Sequence, residues 1–202
     1  NTVSNDTYCV VIRGAGADFC RGRDPSTAGA HPTPMALRDN LLLPIMDLYD
    51  AIKSSKIPVI AAVQGQALGL GCAIAGVCDI TIADESALFQ LPEMQYHLPP
   101  TLAISAIVDK IGKKSTAWMA YSLDKMDAHR AREMGLINSV VPVGKLDAEL
   151  ERLLDTLTQR DLMAVKAVKE YLHVAPESGP AVRSMASNLL ALALSTQAAQ
   201  KS

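Results

Sequence analysis

A chain of 202 residues, 49% hydrophobic and 20% charged, has the apolar content for one packed domain or slightly more. With 19 basic against 21 acidic residues, a formal charge of −2 and no Lys/Arg stripe, it shows no nucleic-acid footprint. No apolar run approaches the length of about 18 residues that a membrane span needs. Without a recognisable secretory leader the expected compartment is the cytoplasm.

The first element in chain order is Tyr8–Ile12, a short β-branched run that reads as a buried strand and ends in the turn signal RGAGADF. Its abrupt start after a polar opening leads us to expect a further segment upstream. Arg21–Pro34 is a loop of Gly, Pro, Ser and Thr, and Met35–Ser54 carries apolar residues at helical spacing. Pro58–Val63 is a second buried strand, followed by three glycines, Gly65, Gly69 and Gly71, and then an apolar helix. Cys78–Ala83 and Ala87–Gln90 are shorter strands. Beyond the loop LPEMQYHLPP, helices are expected from Pro100 to Ile111 and from Lys113 to Ser122. A third runs from Asp127 to Met134, capped by Asp127 and closed by Gly135. INSVVPV is a last strand, and Leu146–Leu157, Asp161–Leu172 and Gly179–Ala199 complete a helical C-terminal third. Early alternation of strand and helix, without internal repeats, indicates an α/β fold.

Cys9, Cys20, Cys72 and Cys78 have neither C-x-x-C spacing nor paired histidines, so no metal site is expected and they read as reduced core residues. The segment Pro58–Val77 contains no acid or base, and its glycines admit several roles. A phosphate cradle fails because the Lys and Ser/Thr of that motif are missing. A dinucleotide fingerprint fails because Phe19 stands where GAGADF would need its third glycine. Two readings stay open. The glycines either only permit tight strand–helix packing, or they expose backbone N–H groups at a helix start, where a developing oxyanion binds. The second gains from GADFCRGRD, Gly16–Asp24, another glycine-flanked turn after a buried strand. We expect two strand ends of one sheet to aim one backbone N–H each at a single oxygen.

At these residues the chain resembles a known family. FCRGRD is similar to a turn of the crotonase (enoyl-CoA hydratase/isomerase) superfamily. PVIAAVQGQALGLGCAIAGVCDITIADESALFQLPE resembles its central segment, and AREMGLINSVVP a later one. The resemblance implies a crotonase-like spiral of ββα units over residues 1–143, and a helical C-terminal region over 144–202 that serves trimerisation or capping. It implies an acyl-CoA thioester substrate, with no cofactor beyond the coenzyme A that the substrate carries. Partners would be further copies, as a homotrimer or homohexamer, and neither nucleic acid nor membrane. The thioester oxygen would accept the backbone N–H groups of Arg23 and Leu70, and Arg21, Gly22, Asp24, Gly69 and Gly71 would lie along the coenzyme. Leu70 stands where the family has a glycine.

The acids depart further from the family. Hydratases of this family commonly carry one Glu after the glycine-turn cysteine and a second in the P-E pair. Here the first position is Ala73 and the second is Glu93. Two carboxylates suit water addition, whereas one suffices to move a proton between carbons of a thioester enolate. A single Glu therefore favours isomerase-like chemistry, with Tyr96 and His97 as nearby groups that could take part. A serine hydrolase on a related Clp-like fold is a competing reading, although no Ser lies between Pro58 and Asp84. A catalytically silent CoA-binding scaffold is another.

Overall fold

The computed structural model describes residues 6–24, 33–175 and 180–200, with backbone alone at 180, 183 and 193–200. Strands β1 (Val10–Arg13), β2 (Val59–Val63), β4 (Ile80–Asp84) and β7 (Ser139–Val141) form one sheet in the order β1-β2-β4-β7, every neighbouring pair parallel. A second sheet holds β3 (Gln66–Leu68), β5 (Leu88–Gln90) and β6 (Met126–Asp127), with β3 and β5 parallel.

β2 shows why the sequence of a central parallel strand lacks alternation. Val59, Ala61 and Val63 face the main core, Ile60 and Ala62 face a second cluster, and all five are buried. The second cluster is closed by Leu146 and Leu150 of α6 (Leu146–Thr158), and the main core by α2 (Leu43–Lys53), α3 (Leu70–Val77) and α4 (Thr101–Ser122). Fully burying one Val or Ile side chain contributes about 1.5–3 kcal/mol, so this five-residue strand anchors both faces.

Two helical expectations are refined by local chemistry. The helix expected over Met35–Ser54 is interrupted. A short α1 (Pro34–Leu37) passes into a π-helical turn at Arg38–Leu42 before α2, and Leu43 N–H reaches back to Arg38 C=O. Pro44 explains the widening: it has no N–H to donate, and its ring would crowd the carbonyl four residues earlier. The helices expected either side of Gly112 form one element, α4, broken at Gly112, whose φ of 75° is non-helical. Asp127 caps α5 (Ala128–Glu133) through Arg130 N–H at 2.7 Å, and Asp161 caps α7 (Leu162–Val174) through Ala164 N–H at 2.8 Å. The last helix, α8 (Pro180–Gln200), is as expected, but Gly179 lies outside the described residues, as do 25–32 of the loop expected from Arg21.

One expectation is corrected. β2 does not lead directly into a helix, since the three-residue β3 intervenes. The two glycine-flanked turns therefore leave one sheet, as expected, but it is the smaller sheet and not the one that holds β1 and β2. β1 and β2 are neighbours in the larger sheet, but Cys20 pairs with Ala67 of β3, in the smaller one. A strand of three residues is too short for its apolar period to show against the glycines around it.

Candidate active site at the carboxyl end of the small sheet

The parallel pairings fix which backbone segments meet. Cys20 lies opposite Ala67, with Cys20 N–H donating to Gln66 C=O at 3.0 Å and Leu68 N–H to Cys20 C=O at 2.9 Å. Leu68 in turn lies opposite Gln90. Arg21–Asp24, Gly69–Leu70 and Leu91–Glu93 therefore leave the small sheet at the same end, outside the carboxyl ends of parallel strands, where ligands of α/β folds bind. Arg23 and Leu70 each lie three residues past the paired Cys20 and Ala67, an equal step along two neighbouring chains. Neither amide has an acceptor among the described residues.

Glycine is required at two positions here. Gly69 precedes α3 with φ 52° and donates its N–H to Gln90 C=O at 2.9 Å, which locks the helix start to β5. A Cβ at Gly71 would run into Cys20, with the Cys20 carbonyl oxygen nearest and its Cβ at 2.8 Å. Only a residue without a side chain lets α3 sit this close to the first turn. Gly22 lies over β3, where a Cβ would stand 3.3 Å from Leu68 C=O. Arg21 is exposed, with Nε 3.8 Å from Asp18 Oδ2, and Asp18 Oδ1 accepts Gln66 N–H at 2.8 Å, tying the turn to β3. Arg23 and Asp24 are exposed, and Arg23 Nη1 reaches Asp24 C=O at 3.4 Å.

Glu93 opens a 3-10 turn (Glu93–Tyr96) just beyond β5. Its Oε1 lies 2.9 Å from where a Gly69 Cβ would be, so the carboxylate sits against the start of α3. Its Oε2 is buried with no hydrogen-bond partner among the described residues. Burial raises its pKa, with its own backbone N–H acting weakly in the other direction. The carboxylate is felt by two further groups. Burial and then the Glu93 charge push the Cys72 thiol up to about 12, and the same two causes, in the same order, raise the Tyr49 phenol. Ala73, one turn into α3, is 0% exposed within the main core. Tyr96 is 68% exposed and His97 is an exposed residue closing the 3-10 turn.

Arg21–Asp24, Gly69–Gly71 and Glu93 are therefore brought to one end of one small sheet. Tyr49 reads in the sequence only as one apolar position on a helix, and nothing local signals that the charge of an acid 44 positions later acts on it.

The whole chain, residues 1–202, matches the family model described as enoyl-CoA hydratase/isomerase. A probable mitochondrial enoyl-CoA hydratase of Dictyostelium discoideum is 31% identical over 173 residues, covering 85% of this chain and 61% of that protein. The 2,3-dehydroadipyl-CoA hydratase of Escherichia coli is 30% identical over 171 residues, covering 83% and 64%. The chain thus spans less than two thirds of the length of these curated relatives. Among solved structures, the Mycobacterium smegmatis enoyl-CoA hydratase superposes with a TM-score of 0.87 at 26% identity, covering 93% of this chain and 73% of that one. The human enoyl coenzyme A hydratase domain-containing protein 3 gives a TM-score of 0.88 at 22% identity, a likeness of fold, covering 95% and 76%.

Proposed function

The chain belongs to the enoyl-CoA hydratase/isomerase family, with the crotonase-like α/β fold, and on that premise we propose that it moves a proton on an acyl-CoA thioester with Glu93 as its single carboxylic acid–base. The observation that carries this is Glu93 Oε2, a buried acceptor without a partner, beside the glycine turn that opens α3. An acid placed for stability would be paired, because an unpaired buried carboxylate is unfavourable.

The chemistry follows from the residues. Abstraction of a proton from the α-carbon leaves negative charge on the thioester oxygen. The unpaired Arg23 and Leu70 amides suit that oxygen, and each backbone donor of this kind is worth about 3–4 kcal/mol in the transition state. Leu70 serves as well as a glycine, since only its N–H is used. Arg21, Gly22, Asp24, Gly69 and Gly71 form the turns along which the coenzyme lies. Glu93 returns the proton to the same or another carbon. Burial raises its pKa, which suits a group that must both take and give a proton. Counted by carboxylates alone, with Ala73 where relatives hold a second acid, the site favours double-bond migration.

Outside the site, α7 and α8 line an apolar groove of about 300 Å³ between residues such as Val168, Leu172 and Leu190, whose side chains are exposed. It supports packing against further copies as a trimer or hexamer.

The test is a time course by NMR in deuterated water with a panel of saturated, 2-enoyl and 3-enoyl CoA thioesters. Deuterium should enter the α-carbon, and Glu93→Gln should lower that rate about 10³-fold with CoA binding retained. Full activity in the variant removes Glu93 from this role. Tight ester binding without exchange in the unaltered chain replaces the enzyme with a scaffold.

A further inference from the structure

Residues 14–18 join β1 of the large sheet to Cys20 beside the small one, and they form neither strand nor helix. Their path is set by the loop that follows β2. Gln64 Nε2 donates to Gly14 C=O at 3.0 Å and to Gly16 C=O at 2.9 Å, so both amide hydrogens are spent on one turn. A Cβ at Gly65 would strike Ala17 C=O and stand 2.6 Å from Asp18 Oδ1, so the two segments lie flush. Gln66 N–H then donates to Asp18 Oδ1 at 2.8 Å. Three consecutive residues thus grip the turn immediately before Cys20 meets Ala67. The far side of the same loop is anchored at β5, where Gly65 N–H donates to Ser86 Oγ at 3.1 Å and Leu88 N–H to Gly65 C=O at 2.8 Å. Gln64 Oε1 is buried with no partner among the described residues. A buried carbonyl oxygen without a donor is unfavourable, so stability alone does not explain an amide at this position. Its hold on two carbonyls of the turn does.

We infer that Gln64 and Asp18 are positioning residues for the Arg23 amide. They fix residues 14–18, and with them the pairing of Cys20 with β3 from which Arg21–Asp24 departs. The inference rests on the reading of the Arg23 and Leu70 amides given above. The two donors are aimed by different means. Leu70 follows Gly69, whose N–H is locked to Gln90 C=O at 2.9 Å. Arg23 stands three residues beyond Cys20, so its N–H is aimed by whatever fixes Cys20. Stabilisation of a developing oxyanion depends on the donor already pointing at it, and a misplacement of about 1 Å can cost about 10²-fold in rate. Asp18 acts through an acceptor oxygen and not through its charge. Its Oδ2 is 3.8 Å from Nε of the exposed Arg21, a contact that contributes little in water. Asparagine at this position keeps the acceptor for Gln66 N–H, and alanine removes it.

The experiment follows deuterium entry at the α-carbon of a saturated acyl-CoA in the full chain, with kcat and KM determined separately, and backbone amide exchange by NMR. Gln64→Met keeps the side-chain length and removes both donors together with the unpaired oxygen, so its melting temperature should move by less than about 4 °C. Its kcat is expected to fall about 10²-fold with KM changed less than about threefold. The Cys20 and Leu68 amides, which hold the pairing, should exchange about tenfold faster while the Gly69 amide does not. Asp18→Ala should repeat both effects, and Asp18→Asn should restore the parent values. If Gln64→Met does not fold, the Asp18 pair decides. Unchanged kcat in Gln64→Met, a loss carried by KM, unaltered Cys20 and Leu68 exchange, or an Asp18→Asn chain as slow as Asp18→Ala overturns the inference. Any of these in a parent chain that still labels its substrate leaves the proposed function standing. A parent chain that labels no substrate removes both.

Discussion

Two carboxylates near the core of this protein, Asp79 and Glu93, are treated in opposite ways. Asp79 stands at the start of β4, where Lys169 Nζ of α7 meets its two oxygens at 2.7 and 2.8 Å. Val59 N–H donates to Oδ2 at 2.7 Å, and Lys169 also donates to Ile52 C=O at 3.1 Å. Lys169 is 5% exposed, so this is a buried ion pair with its hydrogen bonds satisfied, and it fastens a C-terminal helix to the end of α2 and to both central strands. Glu93 has burial without a partner for Oε2. The first arrangement pairs opposite charges and ties distant elements together. The second leaves one carboxylate oxygen without a partner. The contrast is why burial alone does not single out a candidate acid, whereas burial with an unpaired oxygen does, and it is the ground on which Glu93 is proposed.

The largest effect expected from breaking this contrast is on turnover. Glu93→Gln lowers activity about 10³-fold while its melting temperature stays equal or rises, because the substitution relieves an unfavourable buried charge. Lys169→Met does the reverse. It leaves Asp79 a partly buried charge without its cation and destabilises the chain by about 3–5 kcal/mol in urea unfolding. The specific activity of its folded fraction is unchanged. A Lys169→Met chain as stable as the parent would show that the pair is not what fastens α7.

Gly71→Ala sits between these two behaviours. Its Cβ meets the Cys20 backbone, so α3 or the first turn must move, and a loss of about 1–3 kcal/mol is expected together with weaker acyl-CoA binding by calorimetry. Loss of stability with binding intact would separate the helix packing from the site.

The smallest effect is on the pH dependence of stability. The folded state raises the Glu93 pKa above its unfolded value, so the folded state binds that proton more tightly. The resulting stabilisation is full below the unfolded pKa, which lies near the ordinary carboxylate value of about 4.3, and is lost as pH rises through the folded pKa. Parent chain minus Glu93→Gln, measured by denaturant unfolding across that window, should therefore fall with rising pH and then level. A flat difference would mean that the carboxylate is solvated.

How much of this was legible beforehand differs by element. The buried strand at Pro58–Val63, the cap at Asp127, and the helix boundary at Gly112 are local: a run of β-branched residues, a side-chain oxygen three residues from an N–H, a glycine. Sequence carries such signals because the interacting groups are chain neighbours. β3 escaped notice because three residues give no period, and with it went the sheet from which both turns depart. The π turn before Pro44 is a local effect as well, but its sign was hidden by an otherwise regular apolar spacing. Glu93 and the two glycine turns were legible as residue types, and their family resemblance pointed to a common site.

By itself the sequence determined the α/β class, the residues available to the proposed site, and Ala73 in place of a second acid. These depend on composition, short-range pattern and motif, which are written in order along the chain. Only the tertiary structure decided that the turns at Cys20 and Gly69 leave neighbouring strands of the small sheet, that Asp79 is paired with a lysine 90 positions away, and that Glu93 Oε2 is buried without a partner among the described residues. Whether a buried polar group has a partner depends on which distant segments pack around it, and that is set by the summed burial of the whole core.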